Sequence, residues 1–310
     1  ILANIIMVRS LKKKTRINKF LISSTTLSKK IIDQLSFKLT DDQKNCLKDI
    51  NNDLKKKKMF RLLQGDVGSG KTIVALLSIA EVINSGYQAV LMAPSEILVK
   101  QHFKYFSKIL KPYDIKVNFL TSKISSKDKN NIYYDLKKKK IDLLIGTHSL
   151  LNENINFNEL GLTVIDEQHK FGVNQRLRLQ KKSIDSHILV LSATPIPRSL
   201  TFVIYGEIDV SLIKNKPKDR KLTKTTIIGQ DRISNIVEGI KRVIKKKEKV
   251  FWVLPRIGNE EETELENETS VIKRFNYLKK YFQDKVAFVH GKMKKEEVES
   301  IFFKFNEEKI

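Results

Sequence analysis

A parallel α/β sheet with helices on both faces is the fold class that this sequence predicts, and three observations carry it. Short apolar strands alternate with helical stretches over most of the 310 residues. One strand runs into the glycine-rich turn GDVGSGKT (65–72), and an apolar helical pattern follows that turn. Another strand ends directly in two carboxylates, Asp166 and Glu167.

In chain order, residues 1–36 are basic and mixed, with a helical stretch around Leu27–Leu35. TDDQKNCLKDINNDL (40–54) reads as a helix with Thr40 as its N-cap. The predicted strands are FRLLQ (60–64), QAVLMA (88–93), KVNFLT (116–121), DLLIGT (142–147), LTVID (162–166) and HILVLSA (187–193), with helices or helical turns between most of them. Such alternation calls for parallel pairing with right-handed crossovers. The polar, basic, proline-containing stretch NKPKDRKLTKTTII predicts a linker over 214–226. After it the alternation resumes with a helix at ISNIVEGIKRVIKKK, a strand at KVFWVLP, a helix at SVIKRFNYLKKYF and a strand at VAFVHG, interrupted by an acidic loop over 258–270. The expected organisation is a tail over 1–36, a first domain over 37–213, the linker, and a second domain over 227–310. The chain starts without Met and stops inside a helical pattern, so it is expected to be a fragment whose second domain is truncated.

The turn points to phosphate. Gly65, Gly70, Lys71 and Thr72 fit G-x-x-x-x-G-K-[ST], with Asp66, Val67, Gly68 and Ser69 as the loop between them. Glycines let such a loop direct its backbone N–H groups at an anion, and the following helix presents its positive end. In this pattern the lysine reaches the β- and γ-phosphates, and the hydroxyl ligates magnesium. Asp166, at the end of a buried strand, is suited to share that cation with Thr72, and Glu167 to orient and deprotonate water. Ser192 and Thr194, in VLSATPIPRSL, put two hydroxyls at the carboxyl edge of the sheet, where ligands of such folds bind.

The net charge is +24, which fits a polyanion partner, most simply nucleic acid. It also fits a lysine-rich composition, since 48 of the 59 basic residues are Lys and runs such as 55–58, 137–140 and 245–247 suit solvated helix ends. The single cysteine, Cys46, excludes an internal disulfide framework and reads as a buried thiol in a reducing, cytoplasmic setting. No apolar run approaches the roughly 18 residues of a membrane span.

Taken together, GDVGSGKT, DEQH (166–169) and SATPIPRSL (192–200) resemble motifs I, II and III of the superfamily-2 helicases, and most closely those of the RecG branch-migration helicases. FKLTDDQ (37–43) resembles the adenine-recognition element, LMAPSEILVKQH (91–102) motif Ia and IGTHSLL (145–151) motif Ib. FWVLPRI and VAFVHGKMKKEE resemble the first motifs of a second motor domain, so the resemblance covers about residues 30–310.

It implies two RecA-like domains, the second truncated, and a motor run by ATP and Mg2+ on branched or forked DNA as a monomer. Phe37 would stack on the base and Gln43 bond its edge. Gln168 and His169, with Ser192 and Thr194, would couple the γ-phosphate to the domain interface. Pro94, Ser95 and Thr147 would hold a DNA backbone. The wedge domain of that family, its motifs V and VI and their arginine fingers are missing from these residues. The competing readings are a transcription-coupled repair translocase, a non-motor P-loop ATPase and a passive nucleic-acid-binding module. The translocase usually has a glutamate and then Gln-Arg where this chain has QHK (168–170).

Overall fold

The computed structural model describes residues 22, 26–56, 58–152, 154–167, 186–194, 208–215, 223–255 and 270–307. Contacts divide the chain into two compact units, 1–221 and 222–310.

The first unit is built on a seven-stranded sheet: β1 (Phe60–Gly65), β2 (Gln88–Met92), β3 (Val117–Leu120), β4 (Leu143–Gly146), β5 (Leu160–Asp166), β6 (His187–Ser192) and β7 (Asp209–Ile213). Its order is β3-β4-β2-β5-β6-β1-β7, and every pairing is parallel. Six of these strands are those expected from the apolar runs. The seventh, in DVSLI, was not anticipated, because it is short and mixes polar with apolar residues: Ser211 and Ile213 are buried, Leu212 is exposed, and Asp209 and Val210 are half-buried, as suits an edge strand.

Helices cover both faces. They are α1 (Thr26–Gln34), α2 (Asp41–Lys56), α3 (Lys71–Asn84), α4 (Glu96–Leu110) and α5 (Ser126–Lys137). Because strand side chains point alternately to opposite faces, each apolar strand feeds two cores. Leu63, Leu91, Ile145, Val164 and Leu191 pack on one side with Ile31, Ile50, Leu76 and Phe106 from α1, α2, α3 and α4. Leu62, Met92, Leu144, Ile165 and Val190 pack on the other with Ile132 and Leu136 from α5.

The central helix α3 is buried almost all round, from Ile73 to Val82. Each such Leu or Ile side chain contributes about 1.5–3 kcal/mol by leaving water. α3 ends where Gly86 takes a left-handed φ of 87°. α1 belongs to the same core, upstream of the boundary expected at Phe37: Ile31 is buried, and Ser28 N donates to Glu81 Oε1 on α3 at 2.7 Å.

A buried ion pair ties three elements at the start of the P-loop strand. Arg61 on β1 donates from Nε (2.9 Å) and Nη2 (2.7 Å) to Asp53 Oδ2 on α2, and from Nη1 to Ser211 Oγ on β7 (2.7 Å).

The second unit holds α6 (Ile233–Lys245), α7 (Val271–Phe282) and α8 (Lys295–Asn306). Here the sequence expectation is corrected. The stretches 250–254 and 286–290 are assigned no strand, and no strand forms among the described residues of this unit. An apolar, β-prone stretch becomes a strand only where a neighbour pairs with its N–H and C=O groups. These stretches instead line an apolar cavity of about 350 Å³ with α6, α7 and α8, through Trp252, Phe288, Ile240 and Leu278 among others.

The lysine runs behave as helix ends. The runs 137–140 and 245–247 begin at the last residues of α5 and α6, Lys137 and Lys245. There the exposed carbonyls of the final turn favour cations. No helix among the described residues is long and apolar enough to cross a membrane.

Candidate functional site

Five strands release their chains at one edge of the sheet, the carboxyl edge of a parallel ladder. β1 leads into the loop 66–70, β2 into Pro94 and Ser95, β4 into Thr147, β5 into Asp166 and Glu167, and β6 into Ser192 and Thr194. The described candidate residues from the three chemical motifs thus share this edge.

The loop is shaped by its glycines. Gly68 and Gly70 have φ of 76° and 90°, which a side chain would strain. A Cβ on Gly70 would also lie 2.2 Å from Gln43 Nε2. Asp66, Val67 and Gly68 are exposed, with Val67 at 71%, while Ser69 is buried. Lys71 is folded back on the loop, its Nζ donating to Gly65 O at 2.6 Å and to Asp66 O at 3.1 Å. Burial pushes the Lys71 ammonium below its ordinary range, and Glu167, Asp166 and Asp66 pull in the opposite direction. The lysine therefore lies within electrostatic range of both carboxylates of the strand end. Asp166 is paired in register with Leu191 on β6, and Ser192 with Gln64 on β1. Two strand spacings put Asp166 about 10 Å from the P-loop strand, room for phosphate oxygens and a cation between them.

Asp166 is held from the side by α4, with His102 Nε2 lying 3.1 Å from Asp166 Oδ2. Glu167 adopts a left-handed φ of 51°. Its N–H donates to Leu191 O at 3.0 Å, and its Oε1 accepts from Ala193 N at 3.2 Å. Ser192 Oγ lies 3.1 Å from Thr194 Oγ1, and Thr194 O accepts from Gln64 Nε2 at 3.1 Å. The Ser-Ala-Thr turn thereby bridges Glu167 on one side and the end of β1 on the other. Gln168 and His169 lie outside the described residues.

A cavity of about 990 Å³ opens beside the loop, lined by Phe37, Thr40, Gln43, Gly70, Thr72 and Tyr105 among others. Phe37 is 41% exposed, a platform open to a flat ring. Gln43 is buried with both ends of its amide engaged: Oε1 accepts from Thr40 N at 2.9 Å and Nε2 donates to Ser69 O at 2.7 Å. Its bonds here run to the helix cap and the phosphate loop. Tyr105 and His102, both on α4, were assigned no role in the sequence reading. Only the fold turns that helix toward β5 and the loop.

The residues expected to hold a DNA backbone have local duties as well. Ser95 N-caps α4, accepting from Leu98 N at 3.3 Å. Thr147 is buried, with its hydroxyl 3.3 Å from Ser149 Oγ. Pro94 is half-buried between β2 and that cap.

A glycine loop with its lysine folded inward, on the same edge of a parallel sheet as an Asp-Glu strand end, defines a P-loop nucleotide-binding domain. The chain belongs to the DEAD/DEAH box helicase family, which matches residues 40–203. Membership implies the use of ATP.

The particular relatives are RecG proteins. The chain is 42% identical over 284 residues to the ATP-dependent DNA helicase RecG of Aquifex aeolicus, a match covering 90% of this chain and 36% of that protein. It is 38% identical over 284 residues to the RecG of Thermotoga maritima, covering 91% and 36%. Among solved structures, RecG bound to a three-way DNA junction superposes with a TM-score of 0.78 at 33% identity, covering 97% of this chain and 39% of that one. The helicase MrfA bound to DNA shares the fold, with a TM-score of 0.66 at 16% identity, covering 97% and 48%. The chain spans about two fifths of the length of the curated relatives it matches.

Proposed function

We propose that this chain is the ATP-binding part of a RecG-like DNA helicase that remodels branched DNA, such as forks and junctions, by hydrolysing ATP. The observation that carries the reading is that the glycine loop with Lys71 and the strand end with Asp166 and Glu167 leave the same carboxyl edge of one parallel sheet, two strands apart. The RecG structure on a three-way junction supports branched DNA as the substrate class.

Lys71 would exchange its loop carbonyls for the β- and γ-phosphates, while the N–H groups of 66–70 and the start of α3 meet the remaining charge. Phe37 would stack on the base, and Gln43, poised between Thr40 and the loop, would contact its edge. The Thr72 hydroxyl and the Asp166 carboxylate are hard oxygen donors suited to magnesium. Among the described residues there is no group of three His, Cys, Asp or Glu that could hold a metal ion. Such an ion neutralises charge developing on the phosphates. Glu167, fixed by Ala193 N, would orient a water and take its proton. Gln168 and His169, with Ser192 and Thr194, would relay the phosphate's state. Pro94, Ser95 and Thr147 would position a DNA backbone without reading its sequence.

Residues 227–310 would be a second RecA-like domain on the motifs FWVLPRI and VAFVHGKMKKEE, after a linker over 214–226. Residues 37–213, together with α1, which packs into the same core, would form the first domain, and the residues before α1 a leading segment.

Magnesium-dependent ATP turnover, measured on the full-length protein with and without a fork or four-way junction, tests the reading. Turnover should rise with branched DNA, and Lys71→Ala should abolish it while leaving DNA binding largely intact. Near-parental hydrolysis by Lys71→Ala would refute the assignment of the loop.

A further inference from the structure

We propose that His102 is a positioning residue for the nucleotide site: its imidazole holds the Asp166 carboxylate so that one oxygen is presented to the cation shared with Thr72. This rests on the reading of Asp166 as a cation-holding residue.

Three observations converge on it. His102 Nε2 is 3.1 Å from Asp166 Oδ2, with the two side chains only 10% and 14% exposed. An ionised carboxylate can only accept, so Nε2–H is the donor to Oδ2, and this bond leaves Oδ1 unengaged by the ring. The ring is itself fixed. It sits inside α4, packs edge-on against Phe106 one turn later at a centroid distance of 5.8 Å, and Phe106 is fully buried. Asp166 stands at the last position of β5, where Glu167 turns into a left-handed conformation and the ladder ends. A side chain at such an exit has rotamers to lose, and a bond from a rigid helix removes them before a ligand arrives. Groups that orient metal-holding side chains in this way typically change metal affinity by about 10–100-fold when removed.

The test uses the whole chain with His102→Ala and His102→Gln, whose amide nitrogen reaches much as Nε2 does. Binding of a fluorescent ATP analogue is titrated against magnesium, with a parallel series in EDTA and a thermal melt of each variant. His102→Ala should raise the magnesium needed for half-maximal binding by about 10-fold. Binding in EDTA should stay unchanged and the melting temperature within about 2 °C. His102→Gln should restore most of the magnesium response. An unchanged magnesium response in His102→Ala overturns the proposal. So does a loss of binding in EDTA and of melting temperature shared equally by both variants, which would mark the ring as packing alone. If Lys71→Ala binds the analogue as the parent chain does, the nucleotide-site reading fails, and the proposal with it.

Discussion

Removing Asp53 should strand a buried guanidinium at the amino end of the strand that leads into the phosphate loop. Arg61 makes two bonds to Asp53 Oδ2, and both side chains are 10% exposed. Breaking a buried pair from one side costs about 3–5 kcal/mol, since the remaining charge keeps its desolvation penalty. Two contacts soften the loss here: Ser211 Oγ stays at 2.7 Å, and Asp49 Oδ2 lies 3.8 Å from Nη1 on a half-exposed side chain. The low end of the range, about 3 kcal/mol, is therefore expected for Asp53→Ala. In a unit of 221 residues that lowers the melting temperature by roughly 6–12 °C. Differential scanning calorimetry on the variant measures it directly. The double variant Asp53→Leu with Arg61→Met should recover most of the loss, because an apolar pair of similar volume leaves no charge behind. A drop below about 2 °C in Asp53→Ala, or a double variant no better than the single, would refute the account of this pair as a coupled buried unit.

Glu167→Gln should still bind ATP, because an amide oxygen can accept from Ala193 N as Oε1 does, yet turn over about 10²–10⁴-fold more slowly for want of a base; single-turnover hydrolysis checks this. DNA binding should weaken linearly in a log–log plot against salt, since lysine–phosphate contacts release counterions, and a flat response would assign the +24 charge to composition alone. Glu81 lies fully buried on α3, and burial raises its pKa above the usual carboxylate range. The folded state therefore holds this proton where the unfolded chain has lost it, so stability falls as pH rises through and above 4.5. Glu81→Gln keeps an acceptor for Ser28 N and should gain in urea midpoint over the parent between pH 4 and 7; an equal pH response in both chains would contradict it.

Six of the seven strands, the five central ones and β3 at one edge, and the helices between them were legible because local pattern and tertiary role agree. A fully buried parallel strand is an unbroken apolar run, and α3 is an apolar helix opened by GKT and closed by Gly86. The phosphate loop and the Asp-Glu strand end were equally plain, since that chemistry needs those residue types in sequence order. Other features were not legible. β7 is read as a strand only once β1 pairs with it, and 250–254 and 286–290 fail as strands for want of such a neighbour. Strand order, too, is a choice among partners far apart in the chain. It alone sets Asp166 two strands from the loop and His102, 64 residues upstream, within one hydrogen bond of it. The sequence by itself determined which groups could bind a nucleotide and act on it. Only the tertiary structure decided which groups hold them in place, because a positioning contact depends on distance across the fold and leaves no spacing in the chain to be read.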